Sequence, residues 1–236
     1  MAAMPPTAHR LFLALVAIAC TGKVMAADGA HPTVVELFQS QGCSTCPPAD
    51  ANVMAVAGRP DILALSFGVT YWDQLGWKDT FAQPAFTARQ WDYAHRFRHP
   101  AVFTPQVVVN GRLDGVGTDP NELRNLIARG DRGQSGPSVS FRHGRAMIGA
   151  AATPAGGADV WLVRYDPRVV MVPIGRGENA GRTLPHRNVV RQMLRLGRWD
   201  GRAATFQLPP ANPFGWASAV LVQAGPGGPI LAAARG

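Results

Sequence analysis

The sequence predicts an α/β domain followed by a small all-β domain, and three observations carry that expectation. Residues 31–132 alternate apolar strand-like runs with helical stretches, "DRGQSGPS" at residues 131–138 reads as a linker, and residues 138–236 change to short strand-like runs broken by Gly and Pro. The chain's 236 residues suffice for one large domain or two small ones, and an apolar content of 47% is that of a packed globular protein.

In the first domain "TVVELF" (Thr33 to Phe38) is a β-branched and aromatic run, a strand. "PPADANVMAVAG" predicts a helix that starts at the prolines, where missing N–H groups cost nothing, and stops at Gly58. "DILALSFGV" (Asp61 to Val69) is apolar on both faces and so a central strand. The aromatic stretch "YWDQLGWKDTF" follows, then a helical segment from Pro84 to about Arg98. "QVVVNG" and "RLDGVG" predict a hairpin turning at Asn110-Gly111. The helix in "TDPNELRNLIARG" has Asp119 as its cap, Pro120 in its first turn, Glu122 to complete a capping box and Gly130 as its stop. Strand, helix, strand, helical segment, hairpin, helix is the connectivity of a thioredoxin-like domain with an enlarged helical insertion. Residues 138–236 hold seven or eight strand-like runs, the pattern of a small β-sandwich, with "NVVRQMLRLGRW" read as one of its strands.

His9 and Arg10, the apolar run "LFLALVAIAC" and the small residues of "VMAADG" make residues 1–26 a secretory signal peptide cut after Ala26. The alternatives are a buried N-terminal helix and a lipoprotein signal that would anchor the chain through Cys20. The expected location is therefore periplasmic or secreted, with no stable membrane span after cleavage. Removing residues 1–26 takes away Arg10 and Lys23 and no acids, so 21 basic residues remain against 15 acidic ones, a charge of +6. Arginine supplies nearly all of it, scattered without stripes or aromatic interleaving, so nucleic acid is not an expected partner.

An exported chain keeps two cysteines, Cys43 and Cys46, in "VELFQSQGCSTCPPAD" (residues 35–50). A disulfide across three positions closes too short a loop to be a useful staple. Between a strand and a helix, however, the first thiol lies at the helix N-terminus, where free N–H groups and the macrodipole favour the thiolate. Cys43 is then the expected nucleophile and Cys46 the resolving thiol, with Ser44 and Thr45 as donors to sulfur. Thr104-Pro105, just ahead of the third strand, sits where thioredoxin-like proteins place a cis-proline beside the cysteines, its neighbouring backbone pairing with the bound substrate chain; the alternative is an ordinary trans proline opening a strand. Glu36, mid-strand in an apolar run, reads either as a buried proton acceptor for the resolving thiol or as a solvent-facing residue on an edge strand.

Four blocks, "VELFQSQGCSTCPPAD", "YWDQLGWKDTFAQPAFTARQ", "VFTPQVVVNGR" and "GENAGRTLPHRNVVRQMLRLGRW", resemble an uncharacterised family of secreted bacterial proteins, domain of unknown function 1223. The resemblance runs from Thr33 to the C-terminus. It implies export, a thioredoxin-like core and a redox pair at Cys43 and Cys46. The Pro-Pro after Cys46, and the lack of a proline between the cysteines, depart from ordinary thioredoxins.

Tyr71, Trp72, Asp73 and Trp77 would lie near the active-site edge, as a substrate-binding rim or as packing anchors of the insertion, with Lys78 and Asp79 as solvated charges. Glu178, Asn179, Arg182, His186 and Asn188 form a polar loop that would bind a ligand or hold the two domains together. His95 and His99, four apart on the expected helix, would share a face but lack the further ligands of a catalytic zinc motif. The expected function is an exported thiol–disulfide oxidoreductase. It would need no cofactor, and its partners would be substrate thiols or disulfides and an unidentified redox partner. Thiolate-based copper binding and a non-catalytic scaffold are the alternatives.

Overall fold

The computed structural model describes residues 1, 25–211 and 214–236, so nearly all of the expected signal peptide, and Cys20, lie outside the described residues. β-Branched and aromatic runs form β1 (Thr33–Gln39) and β2 (Ile62–Gly68), parallel neighbours in register from Thr33–Ile62 to Gln39–Gly68. All seven residues of each strand are buried, because both faces of this part of the sheet are covered. Val35, Leu37, Ile62 and Ala64 face α1 (Cys46–Val56) and α3 (Pro120–Gly130) in one cluster. Val34, Phe38, Leu63, Leu65 and Phe67 face α2 (Pro84–Phe97) in another, through Phe86 and Tyr93.

On the other side of β1, β3 (Gln106–Val109) runs antiparallel and pairs in turn with β4 (Leu113–Gly115). Asn110 and Gly111 turn that hairpin at φ 48° and 60°, with Arg112 N–H donating to Val109 O at 2.9 Å. Asp119 caps α3 by accepting from Asn121 N–H at 2.8 Å. Glu122 does not close the expected capping box. Its carboxylate instead accepts from the N–H groups of Val116 and Gly117, tying the helix to the loop before it.

The second half supplies the rest of the same sheet. β7 (Ala158–Asp166), β10 (Val189–Trp199), β12 (Ala217–Gln223) and β13 (Ile230–Arg235) complete an eight-stranded order β13-β12-β7-β10-β2-β1-β3-β4. The join is narrow: Val189 pairs with Ser66, Ser66 N–H donates to Asn188 O at 3.0 Å, and Asn188 Nδ2 donates to Ala64 O at 2.9 Å. A three-stranded sheet of β5 (Val139–Arg142), β6 (Arg145–Ile148) and β11 (Ala204–Gln207) covers the far face of these strands. Ala146, Ile148, Val160, Leu162, Trp199, Val220 and Val222 fill the space between. The "NVVRQMLRLGRW" segment is a strand. The linker at 131–138 does not divide the sheet: one core joins Phe38, Phe67 and Val108 to Val163, Tyr165, Leu221 and Ala233 across it. β8 (Val170–Pro173) and β9 (Thr183–His186) form a separate hairpin that packs onto α1. Among the described residues no helix is long and apolar enough to cross a membrane.

Candidate functional site

The C-terminal ends of β1 and β2 and the start of β3 converge on one edge of the sheet, as their parallel and antiparallel registers require. Four residues after β1 comes Cys43, and Cys46 is the first residue of α1, so the pair bridges loop and helix. The two are disulfide-bonded with Cα atoms 5.4 Å apart. Both are buried, Cys43 at 0% and Cys46 at 1% exposure. Thr45 Oγ1 lies 3.3 Å from Cys43 Sγ. Pro47 and Pro48 leave the first turn of α1 without two of its free N–H groups, so direct hydrogen bonds to a Cys43 thiolate are fewer than at an ordinary helix start.

The Thr104–Pro105 peptide is cis and immediately precedes β3. Trp72 Nε1–H donates to Thr104 Oγ1 at 2.7 Å, and the Trp72 side chain lies against Gly42, next to Cys43. Tyr71 packs on the α2-side core, where burial raises its phenol pKa. Trp77 Nε1–H donates to Gln41 Oε1 at 2.9 Å while its ring lies against Gly175 and its Cβ against Gly177. Trp72 and Trp77 thus brace the cysteine loop from one side.

The β8–β9 hairpin braces it from the other. Asn179, wholly buried, donates through Nδ2 to Gln41 O and Cys43 O at 3.0 and 2.9 Å. Ser44 donates through N–H and Oγ–H to Glu178 Oε2 at 3.1 and 2.6 Å, which lowers the Glu178 carboxyl pKa. Arg182 orients Asn179 by donating to its Oδ1 at 2.7 Å. Of the two donors expected beside sulfur, Thr45 faces Cys43 and Ser44 is held by the hairpin.

Three expectations need correction. Glu36 is neither exposed nor on an edge: it is buried on β1, between β2 and β3, and its partners are on α2. Arg89 Nε–H and Nη2–H donate to its two oxygens at 2.7 and 3.1 Å, and Tyr93 O–H donates to it as well. Its carboxylate therefore faces away from α1 and the cysteines, because Glu36 shares the strand face of Val34 and Phe38. Asp79 is buried, since the N–H groups of Gln41 and Phe81 replace its water at 2.8 and 2.7 Å, and burial raises its carboxyl pKa. His95 and His99 do not share a helix face, because α2 ends at Phe97 and Arg98 turns the chain at φ 62°. His99 Nε2 meets Asp114 Oδ2 at 2.7 Å, and His95 packs on the Trp91 ring. Among the described residues no group of three or more His, Cys, Asp or Glu is arranged to hold a metal.

Two further residues at the site escaped sequence reasoning in these roles. Asp50 lies one helical turn after Cys46 on the buried face of α1, a position readable from the spacing. His186, at the end of β9, places Nδ1 3.8 Å from Asp50 Oδ1. Its approach to α1 crosses 136 positions of sequence and has no local signal.

The fold and site together define a mixed sheet that presents a disulfide-bonded Cys-x-x-Cys at a helix start, braced from both sides. The family model described as "Protein of unknown function (DUF1223)" matches residues 34–223, and the chain belongs to that family. It is similar to protein AGR_C_4864 from Agrobacterium tumefaciens, known from an X-ray crystal structure. The two share 30% sequence identity over 89% of this chain and 94% of that one, with a TM-score of 0.71. No curated protein matches the chain.

Proposed function

We propose that this protein is an exported thiol–disulfide oxidoreductase whose redox pair is Cys43–Cys46, carried on a thioredoxin-like unit over residues 31–132. The observation that supports it most is the placement of the pair. The disulfide sits at the N-terminus of α1, at the sheet edge where cis Thr104–Pro105 opens β3. A substrate thiolate attacks Cys43 Sγ and forms a mixed disulfide, and Cys46 Sγ leaves with the electron pair. The substrate's second thiol then loses its proton and displaces Cys43, whose sulfur leaves with the electron pair, so the substrate leaves as a disulfide and the protein holds the two electrons. A partner disulfide of higher potential restores the pair. With a reducing partner the same steps run backwards. The pair itself carries the electrons, so the reaction calls for no organic cofactor, and the signal-like residues 1–26 direct it to the periplasm or beyond.

Access is the step that must precede chemistry. Both sulfurs are buried, and the Cys43–Ser44 peptide is clamped by Glu178 and Asn179. A substrate chain therefore displaces the β8–β9 hairpin loop before it reaches Cys43. The test is a peptide carrying two thiols, mixed with the oxidised mature protein. The expected result is one peptide disulfide per protein, no turnover with Cys43→Ser, and a trapped mixed disulfide through Cys43 with Cys46→Ser. Failure to exchange, or a stoichiometric metal that cysteine alkylation releases, would sink the proposal in favour of a metal-binding module. Full biological function in the double cysteine variant would point instead to a scaffold.

A further inference from the structure

Cys46 is 1% exposed, and a thiolate expelled there has no water to solvate it. The sulfur needs a proton from inside the protein. On the same face of α1, one turn on, stands Asp50, 6% exposed. Opposite it His186 is fully buried, and neither of its ring nitrogens has a hydrogen-bond partner. The 3.8 Å between His186 Nδ1 and Asp50 Oδ1 is an ion-pair separation, outside hydrogen-bond reach. Phe81 meets the imidazole edge-on, with ring centroids 5.6 Å apart. A buried imidazole without hydrogen-bond partners, facing a buried acid, calls for a role.

We propose that Asp50 and His186 hold the proton that Cys46 takes up when the disulfide opens and take it back when the disulfide closes. The inference rests on the redox reading above. As the substrate thiolate bonds to Cys43 Sγ, the Cys43–Cys46 bond breaks and its electron pair stays on Cys46 Sγ. The proton held on this pair passes to that sulfur, leaving an aspartate and a neutral imidazole. The second substrate thiol loses its proton to water and displaces Cys43, whose sulfur leaves as the thiolate.

The surroundings favour a proton on this pair. Burial raises the Asp50 carboxyl pKa, with His186 opposing in part. Asp79, on the loop ahead of α2 and with Asp73 near it, also feels the imidazole, but its two oxygens are already engaged by Gln41 and Phe81. Arg191 stacks on Phe81 at 4.3 Å, and Arg187 lies by Gly58, past the end of α1. Of the two carboxylates near the ring, Asp50 alone lacks N–H donors to fix its charge, so it is the one free to trade a proton.

The experiment follows the rate at which dithiothreitol opens the disulfide across pH in metal-free mature protein, with Asp50→Asn and His186→Gln beside wild type. Each variant is expected to open more slowly, on the order of a hundredfold, with a pH profile reduced to that of dithiothreitol alone. In wild type, NMR of the His186 ring is expected to give different shift-against-pH curves for the oxidised and reduced forms. This second measurement needs no variant and decides the matter if the substitutions disturb folding. Unchanged pH profiles in folded variants, or identical His186 curves in both forms, overturn this proposal while the redox reading stands. A disulfide that dithiothreitol never opens overturns both.

Discussion

Glu36 spends its carboxylate on Arg89 and Tyr93, and Arg89 also donates to Gln223 Oε1 at 2.9 Å, so one buried network links β1, α2 and β12. Burial works against the Arg89 charge, but the Glu36 carboxylate outweighs it and holds the guanidinium pKa above its ordinary value. Removing one partner strands the other without water. Arg89→Met is therefore expected to cost about 3–5 kcal/mol in denaturant unfolding. Glu36→Gln should destabilise too, yet leave the pH profile of disulfide opening unchanged, which separates an anchoring glutamate from a proton acceptor. At this scale the sequence was half legible. A lone glutamate in an apolar run does signal burial, but its partner lies 53 positions on, and only the strand's pleat decides that it faces α2. Asp79 misled for a similar reason: beside Lys78 it reads as solvated, and the N–H groups that bury it come from Gln41 and Phe81.

The β8–β9 hairpin is the element that turns a strand-to-helix cysteine loop into a closed site. Asn179 donates to two carbonyls of that loop, and Asn179→Ala takes that donor from both in a buried place, leaving Cys43 O only the Cys46 N–H at 3.2 Å. A loss of about 1–3 kcal/mol in unfolding free energy is expected. Glu178 is exposed, so Glu178→Ala should leave thermal stability nearly unchanged. The variant should instead speed reduction of the disulfide by a small dithiol, because it frees the Ser44 N–H and hydroxyl and removes a negative charge beside Cys43. A rate no faster than wild type would contradict a clamping role. The β3–β4 turn makes a different demand. Gly111 sits at φ 60° and a Cβ there would run into the Gly228 carbonyl, so Gly111→Ala should destabilise by about 2 kcal/mol or more. The Asn-Gly turn, the cap at Asp119 and the strands around them were legible, because each rests on local chemistry. The polar density of "GENAGRTLPHRNVV" reads as a loop that binds a ligand or holds the two halves together; Asn179 in it holds the cysteine loop, 136 positions away, which could not be read.

On the scale of the whole molecule, the two halves share an eight-stranded sheet and a core, so their stability is expected to be common property. A single cooperative unfolding transition, coincident by tryptophan fluorescence and far-UV circular dichroism, would show it. The composition shift at residues 131–138 marks a change of strand pattern, which periodicity reveals. It does not reveal that β10 then returns to pair with β2, since one bridging pair leaves no sequence signature. The buried carboxyls set a pH slope for the whole fold. Asp50 and Asp79 have folded pKa values raised by burial above the ordinary 3.8, so the folded state binds more protons than the unfolded one above that value. Their contribution is full below about pH 3.8 and is lost as pH rises through the raised values. Asp50→Asn should flatten its share of that slope in denaturation series at stepped pH.

The central claim is that Cys43–Cys46 is a working redox pair, and its reduction potential tests that most directly. Mature, metal-free protein would be equilibrated in thiol–disulfide buffers of stepped potential, then alkylated and weighed. The account predicts a reversible midpoint between about −120 and −270 mV, toward the lower value. Pro47 and Pro48 deny a Cys43 thiolate two N–H donors and Glu178 adds negative charge nearby, so the reduced form gains little stabilisation. A bond that stays closed below about −300 mV, or a pair that never closes, would contradict it.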